Sequence, residues 1–87
     1  MECPICKFGN GFSVDSAVIK GSCDNCGPLE ITEIAAVSNL TADNRKLLAR
    51  YLKSHPRKAP LYLSDASTKL LLHEADEWDA AQALTNV

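Results

Sequence analysis

Four cysteines in the first 26 residues carry the residue types whose spacing points most directly to a defined chemistry. They read Cys3-x2-Cys6-x16-Cys23-x2-Cys26. Two C-x2-C pairs separated by about 15–20 residues are a zinc spacing. Two cysteines three apart on a tight knuckle can both face one ion, and a hairpin of the intervening length brings the second knuckle opposite the first. Four thiolates then close a tetrahedron, the geometry of structural zinc sites. Cys3, Cys6, Cys23 and Cys26 are therefore expected to hold one structural Zn²⁺. A closed four-sulfur shell leaves no position for water or substrate, so the metal is expected to stabilise the fold rather than catalyse.

Three other chemistries use the same residues. Two disulfides would need an oxidising compartment. The start Met1-Glu2-Cys3-Pro4 has neither the basic nor the apolar stretch of a secretory signal, which leads to the expectation of a reducing, cytoplasmic setting. A redox-active C-x2-C of thioredoxin type would sit in a βαβ context, which the neighbouring residues do not suggest. Iron in a rubredoxin-like site also suits a Cys₄ tetrahedron.

The elements that must position these cysteines are short. Phe12-Ser13-Val14 and Ala17-Val18-Ile19-Lys20 flank Asp15-Ser16 and read as two strands around a tight turn, and Leu29 to Thr32 can supply a third. Thr32 could cap a short helix over residues 33–37, which Ser38-Asn39 break. Thr41 is the stronger N-cap, with Asp43 in the first turn, and Leu47, Leu48, Tyr51 and Leu52 then recur at helical spacing. His55-Pro56 should end that helix. Pro56 and Pro60 bracket a loop, Leu61-Tyr62-Leu63 is a short extended run, and Ser64 can cap a final segment whose apolar stripe is Leu71, Ala75, Trp78 and Ala81. One helix or two over residues 65–84 are equally compatible with the pattern. The expectation is a small α+β protein. A zinc ribbon, a β-hairpin plus a third short strand, occupies residues 1–32. Two or three α-helices in residues 33–87 pack on or beside it.

Cys3-Pro4-Ile5-Cys6 and Cys23-Asp24-Asn25-Cys26-Gly27, followed by Leu29-Glu30-Ile31-Thr32, resemble C4 zinc ribbons. The chain beyond is similar to small bacterial and phage proteins in which a ribbon precedes a helix opening with a Leu-Thr/Ser pair, here Leu40-Thr41, and a basic helix, here Arg45 to Lys53. The resemblance implies a fold and a metal, and a bacterial cell or the host cell of a phage as the setting. It implies no single function, because ribbons serve transcription, DNA handling, RNA binding and protein docking alike.

Charge is unevenly placed. The formal total is −2, and four thiolates with one divalent ion would take it to about −4. Arg45, Lys46, Arg50, Lys53, Arg57 and Lys58 nevertheless fall within 14 residues. They are either a contact for nucleic acid or an acidic protein, or the solvated side of a helix. Asp65, Glu74, Asp76, Glu77 and Asp79 oppose them with only Lys69 among them. Trp78, with Glu74 and Glu77, is a candidate protein interface, tryptophan being common among interface anchors; core packing is the plainer role. Neither a glycine-rich phosphate loop nor a nucleophile elbow is present, and no carboxylate pair stands out, so no enzyme is expected. No apolar run is long enough to cross a membrane. The primary expectation is a non-enzymatic, zinc-stabilised interaction module, a regulator, adaptor or phage-type inhibitor that docks on a larger protein or complex. No small-molecule substrate is expected. The alternative is a nucleic-acid-binding regulator using the basic residues 45–58 and the ribbon.

Overall fold

The computed structural model describes residues 1–85. The chain is a small α+β protein with the element order β1 (Phe12–Asp15), β2 (Val18–Cys23), β3 (Gly27–Ile31), α1 (Ile34–Ser38), α2 (Ala42–Ser54), β4 (Leu61–Leu63) and α3 (Asp65–Thr85). One sheet runs in the order β1-β2-β3-β4. β1 pairs antiparallel with β2 and β2 with β3, and β4 lies parallel to β3. Leu61-Tyr62-Leu63, read from sequence only as an extended run, is thus a fourth strand of the ribbon sheet. A parallel neighbour cannot be reached by a tight turn, and here α1 and α2 form the crossover.

The first hairpin turns one residue later than the sequence suggests. Ser16 and Ala17, not Asp15 and Ser16, occupy the turn, and both take positive φ, 50° and 64°. A two-residue turn with two left-handed residues matches the right-handed twist of the flanking strands. It places Asp15 opposite Val18 and Phe12 opposite Gly21. Cross-strand rows follow: Phe12, Gly21, Leu29 and Leu61 in one, Val14, Ile19, Ile31 and Leu63 in the next. Because opposed residues share a face, Phe12, Ile19, Leu29, Ile31 and Leu63 are all buried on one side. Gly21 sits where β1 passes closest. A Cβ there would stand 2.7 Å from the Phe12 Cα and overlap the Gly11 carbonyl oxygen. Gly21→Ala is expected to destabilise the metal-loaded protein by more than about 2 kcal/mol in chemical denaturation, because the obstruction is backbone and cannot rotate away.

Thr32 does not cap α1. Its N–H and its hydroxyl both donate to the Leu63 carbonyl, at 2.9 and 3.2 Å, so it extends the β3–β4 pairing instead. Glu33 takes the N-cap position without a side-chain cap bond. Thr41 caps α2 as its sequence position implies, accepting from the Asn44 N–H at 3.1 Å, and the helix ends at Ser54 ahead of His55-Pro56. Leu47, Leu48 and Leu52 are buried and Tyr51 is half-buried. Residues 65–85 form one helix. Ser64 and Ser67 cap its start reciprocally, each backbone N–H donating to the other's hydroxyl oxygen, at 2.7 and 3.2 Å. Along α3, Leu71 and Ala75 are buried and Trp78 is half-buried, while Ala81 lies on the exposed part beyond them. The buried residues of all these elements form one cluster, in which Cys3, Ile5 and Cys26 join Leu29, Leu48 and Leu63. No described helix is long and apolar enough to cross a membrane.

Candidate metal centre

The two knuckles are built from local backbone bonds. In the first, the Lys7 N–H donates to the Cys3 carbonyl at 2.9 Å and the Cys3 N–H to the Phe8 carbonyl at 3.2 Å. In the second, the Cys26 N–H donates to the Cys23 Sγ at 3.2 Å. Each knuckle needs a left-handed residue directly after its second cysteine. Gly27 supplies it at φ +72°, whereas the first knuckle uses Lys7 at φ +62°. A side chain in that region costs about 1–2 kcal/mol. Lys7→Gly should therefore raise the stability of the metal-loaded protein by about 1 kcal/mol. A lower denaturation midpoint would show that the lysine side chain contributes more than its backbone strain removes.

The hairpin β1–β2 and the turn into β3 bring the knuckles together. The four Sγ atoms lie within 4.8 Å of one another, and those of Cys6 and Cys23 are 3.5 Å apart. None is in a disulfide. A tetrahedron with metal–sulfur bonds of about 2.3 Å has sulfurs about 3.8 Å apart, which the observed spread brackets. The donor set therefore fits a metal ion in a closed Cys₄ shell. Cys3 and Cys26 are buried against the core, and Cys6 and Cys23 are half-exposed. Without a metal the sulfurs do not ionise independently. A hydrogen bond with Cys26 holds the Cys3 thiol down at about 5. The same bond, with burial, pushes Cys26 well above the usual thiol range, and burial raises Cys6. Four close sulfurs cannot all become thiolates unless a cation neutralises them, so loading must displace protons and must weaken as pH falls.

One further residue completes the site. Arg57, in the loop after α2, lays its guanidinium over the second knuckle. Its Nη1 donates to the Cys26 carbonyl at 2.8 Å and its Nη2 to the Pro28 carbonyl at 2.5 Å. A Cβ on residue 27 would meet the Arg57 Nη1 at 3.2 Å, so Gly27 also makes room for this clamp. Burial lowers the Arg57 pKa from its ordinary value, and the nearby Cys26 opposes that shift. From sequence, Arg57 belongs with the other basic residues, and nothing local in residues 56–60 points to Cys26.

The remaining basic residues are divided: Arg45, Lys46 and Arg50 line one cleft with Lys7, and Lys53 and Lys58 lie outside it. Arg45 donates to the Leu40 carbonyl at 3.4 Å, ahead of α2. Arg50 pairs with Asp79 of α3 at 3.0 Å. Lys46, Lys53 and Lys58 are exposed and form no ion pair among the described residues. Of the acidic and aromatic candidates, Trp78 packs edge-on to Tyr51 and His55, with ring centroids 5.6 and 5.9 Å apart. Glu74 accepts from the Tyr51 hydroxyl at 3.5 Å, beside this aromatic group. Glu77 stands elsewhere on α3, paired with His73 at 3.0 Å. Comparison of the chain with protein-family models, curated proteins and solved structures gives no match.

Proposed function

We propose that this chain is a zinc-ribbon interaction module without catalytic activity, a small regulator or adaptor that docks on a larger protein. The observation that carries this reading is the use made of the basic residues. Three of the six side chains that could have formed a nucleic-acid face are occupied within the fold: Arg57 on the second knuckle, Arg45 on the α1–α2 connection and Arg50 on Asp79. A phosphate-tracking groove needs a continuous line of such side chains, and these six are divided between the second knuckle, the cleft beside α2 and solvent. The closed four-sulfur site supports a structural role for the metal, and zinc suits it because zinc brings neither redox chemistry nor a geometric demand the shell would resist.

The test pairs two measurements on the metal-loaded protein. A pull-down from lysate, with and without nuclease, should recover a protein partner in both lanes. Single- and double-stranded oligonucleotides titrated at low salt should give no saturable binding. Recovery of nucleic acid alone, with steep salt dependence, would instead support the second reading, a nucleic-acid regulator. The exposed and unpaired Lys46, Lys53 and Lys58 favour that alternative.

A further inference from the structure

The space between the first knuckle and α2 is a cleft of about 490 Å³. Its apolar lining is Ala42 and Ala49 with Ile5 and Cys6, Ile5 being almost fully buried. Its rim carries Lys7, Arg45, Lys46 and Arg50, and no residue lining it is acidic. Lys7 and Lys46 are exposed and, among the described residues, unpaired. Arg45 and Arg50 each commit one nitrogen to the fold, and a guanidinium has five N–H donors. A divalent metal with four thiolates would carry about −2 beside Cys6. The four cations lining the cleft exceed that charge in number.

We infer that this cleft receives an acidic peptide segment of a partner protein. One large apolar side chain of that segment seats on Ala42 and Ala49, with the buried Ile5 beside them. Flanking carboxylates meet Lys7, Lys46 and the uncommitted donors of the two arginines. The inference rests on the interaction-module reading and names the chemistry of the partner. Three observations select this occupant. An apolar lining inside a cationic rim is complementary to an apolar anchor flanked by acids. A single-stranded nucleic acid would find no ring on which to stack a base, since no aromatic residue lines the cleft. A second copy of this chain would have to offer its own acidic helix. There Asp65, Glu74, Glu77 and Asp79 already hold Lys69, Tyr51, His73 and Arg50 within the chain, which leaves Asp76 as the one acid of that helix without a partner among the described residues.

The experiment is an NMR titration of the full, metal-loaded chain with a short synthetic peptide of glutamates flanking one phenylalanine. Parallel titrations use its glutamine and alanine counterparts and oligothymidylate. The acidic phenylalanine peptide should shift the Ile5, Ala42 and Ala49 resonances. Replacing either its acids or its ring should weaken binding about tenfold or more. A Lys7→Glu/Lys46→Glu protein with an unchanged spectrum elsewhere should lose binding to the same degree. Equal binding of all three peptides, or none by any, overturns the inference. If the peptide instead shifts Tyr62 of β4 and Leu70 of α3, two exposed apolar residues that line a separate, smaller pocket, the cleft assignment falls and the interaction module stands. If only oligothymidylate binds, both fall. If diluting the protein alone reproduces the shifts, the occupant is a second copy and not an acidic partner.

Discussion

Serine in place of any one of Cys3, Cys6, Cys23 or Cys26 is expected to abolish the cooperative folding of this chain, not merely loosen its first 32 residues. The reason lies in how the sheet is shared. β3 begins at Gly27, directly after the last cysteine, and pairs with β4, which lies just ahead of α3. Cys3, Cys26 and Ile5 belong to the same buried cluster as Leu48 of α2 and Leu71 and Ala75 of α3. Losing the knuckles removes β1–β3 as a platform, and α2 and α3 then lack the surface that buries their leucines. Structural metal contributes an apparent ~10–16 kcal/mol in finger peptides, as large as the whole stability of a typical domain at ~5–15 kcal/mol. Circular dichroism should show helix signal lost together with the metal, and the four variants should behave alike. A variant that kept its helices while releasing metal would show that α1–α3 fold on their own.

The second large effect is expected at Arg57. Arg57→Ala removes both donors from the Cys26 and Pro28 carbonyls. Hydrogen bonds from a charged donor contribute about 1.5–3 kcal/mol each, and groups that orient a ligand residue typically change metal affinity about 10–100-fold. A chelator competition assay should therefore show a loss of that order. Lys58→Ala, one residue further along the same loop, should leave affinity unchanged, because Lys58 is exposed and makes no ion pair among the described residues. Arg57→Lys should restore little, since a single ammonium does not present the two separate nitrogens that reach the two carbonyls. Equal metal affinity in Arg57→Ala and the wild-type chain would reduce the clamp to a surface contact.

The features that could be read from the sequence are local ones. The cysteine spacing, the Thr41 cap, the stop at His55-Pro56 and the apolar positions of α2 each depend on residues within a turn or two of each other. The four sulfurs accordingly meet where the spacing puts them. What the sequence hid depends on distant partners. Thr32 looks like a helix cap until Leu63, 31 residues later, arrives beside it. Leu61-Tyr62-Leu63 is too short to announce a strand, and only its pairing with β3 makes it one. Arg57 reads as one more positive charge, and its contact with Cys26 also spans 31 residues. The basic segment 45–58 likewise looks continuous in sequence, although the fold sends its side chains to a knuckle, a helix start, a neighbouring helix and solvent. The turn lies at Ser16-Ala17, one residue beyond the pair the local pattern suggests; either register keeps Phe12 and Ile19 on one face, and the observed one differs in setting Phe12 opposite Gly21, a cross-strand pairing that no local turn signal carries.

Native mass spectrometry of the purified chain, before and after chelation and paired with circular dichroism, is the most direct measurement of the central proposal. The predicted result is one zinc per chain, thiol protons lost on loading, and folded structure that disappears with the metal. A metal-free chain lighter by four hydrogens, as two disulfides would make it, and fully folded in that form, would contradict it.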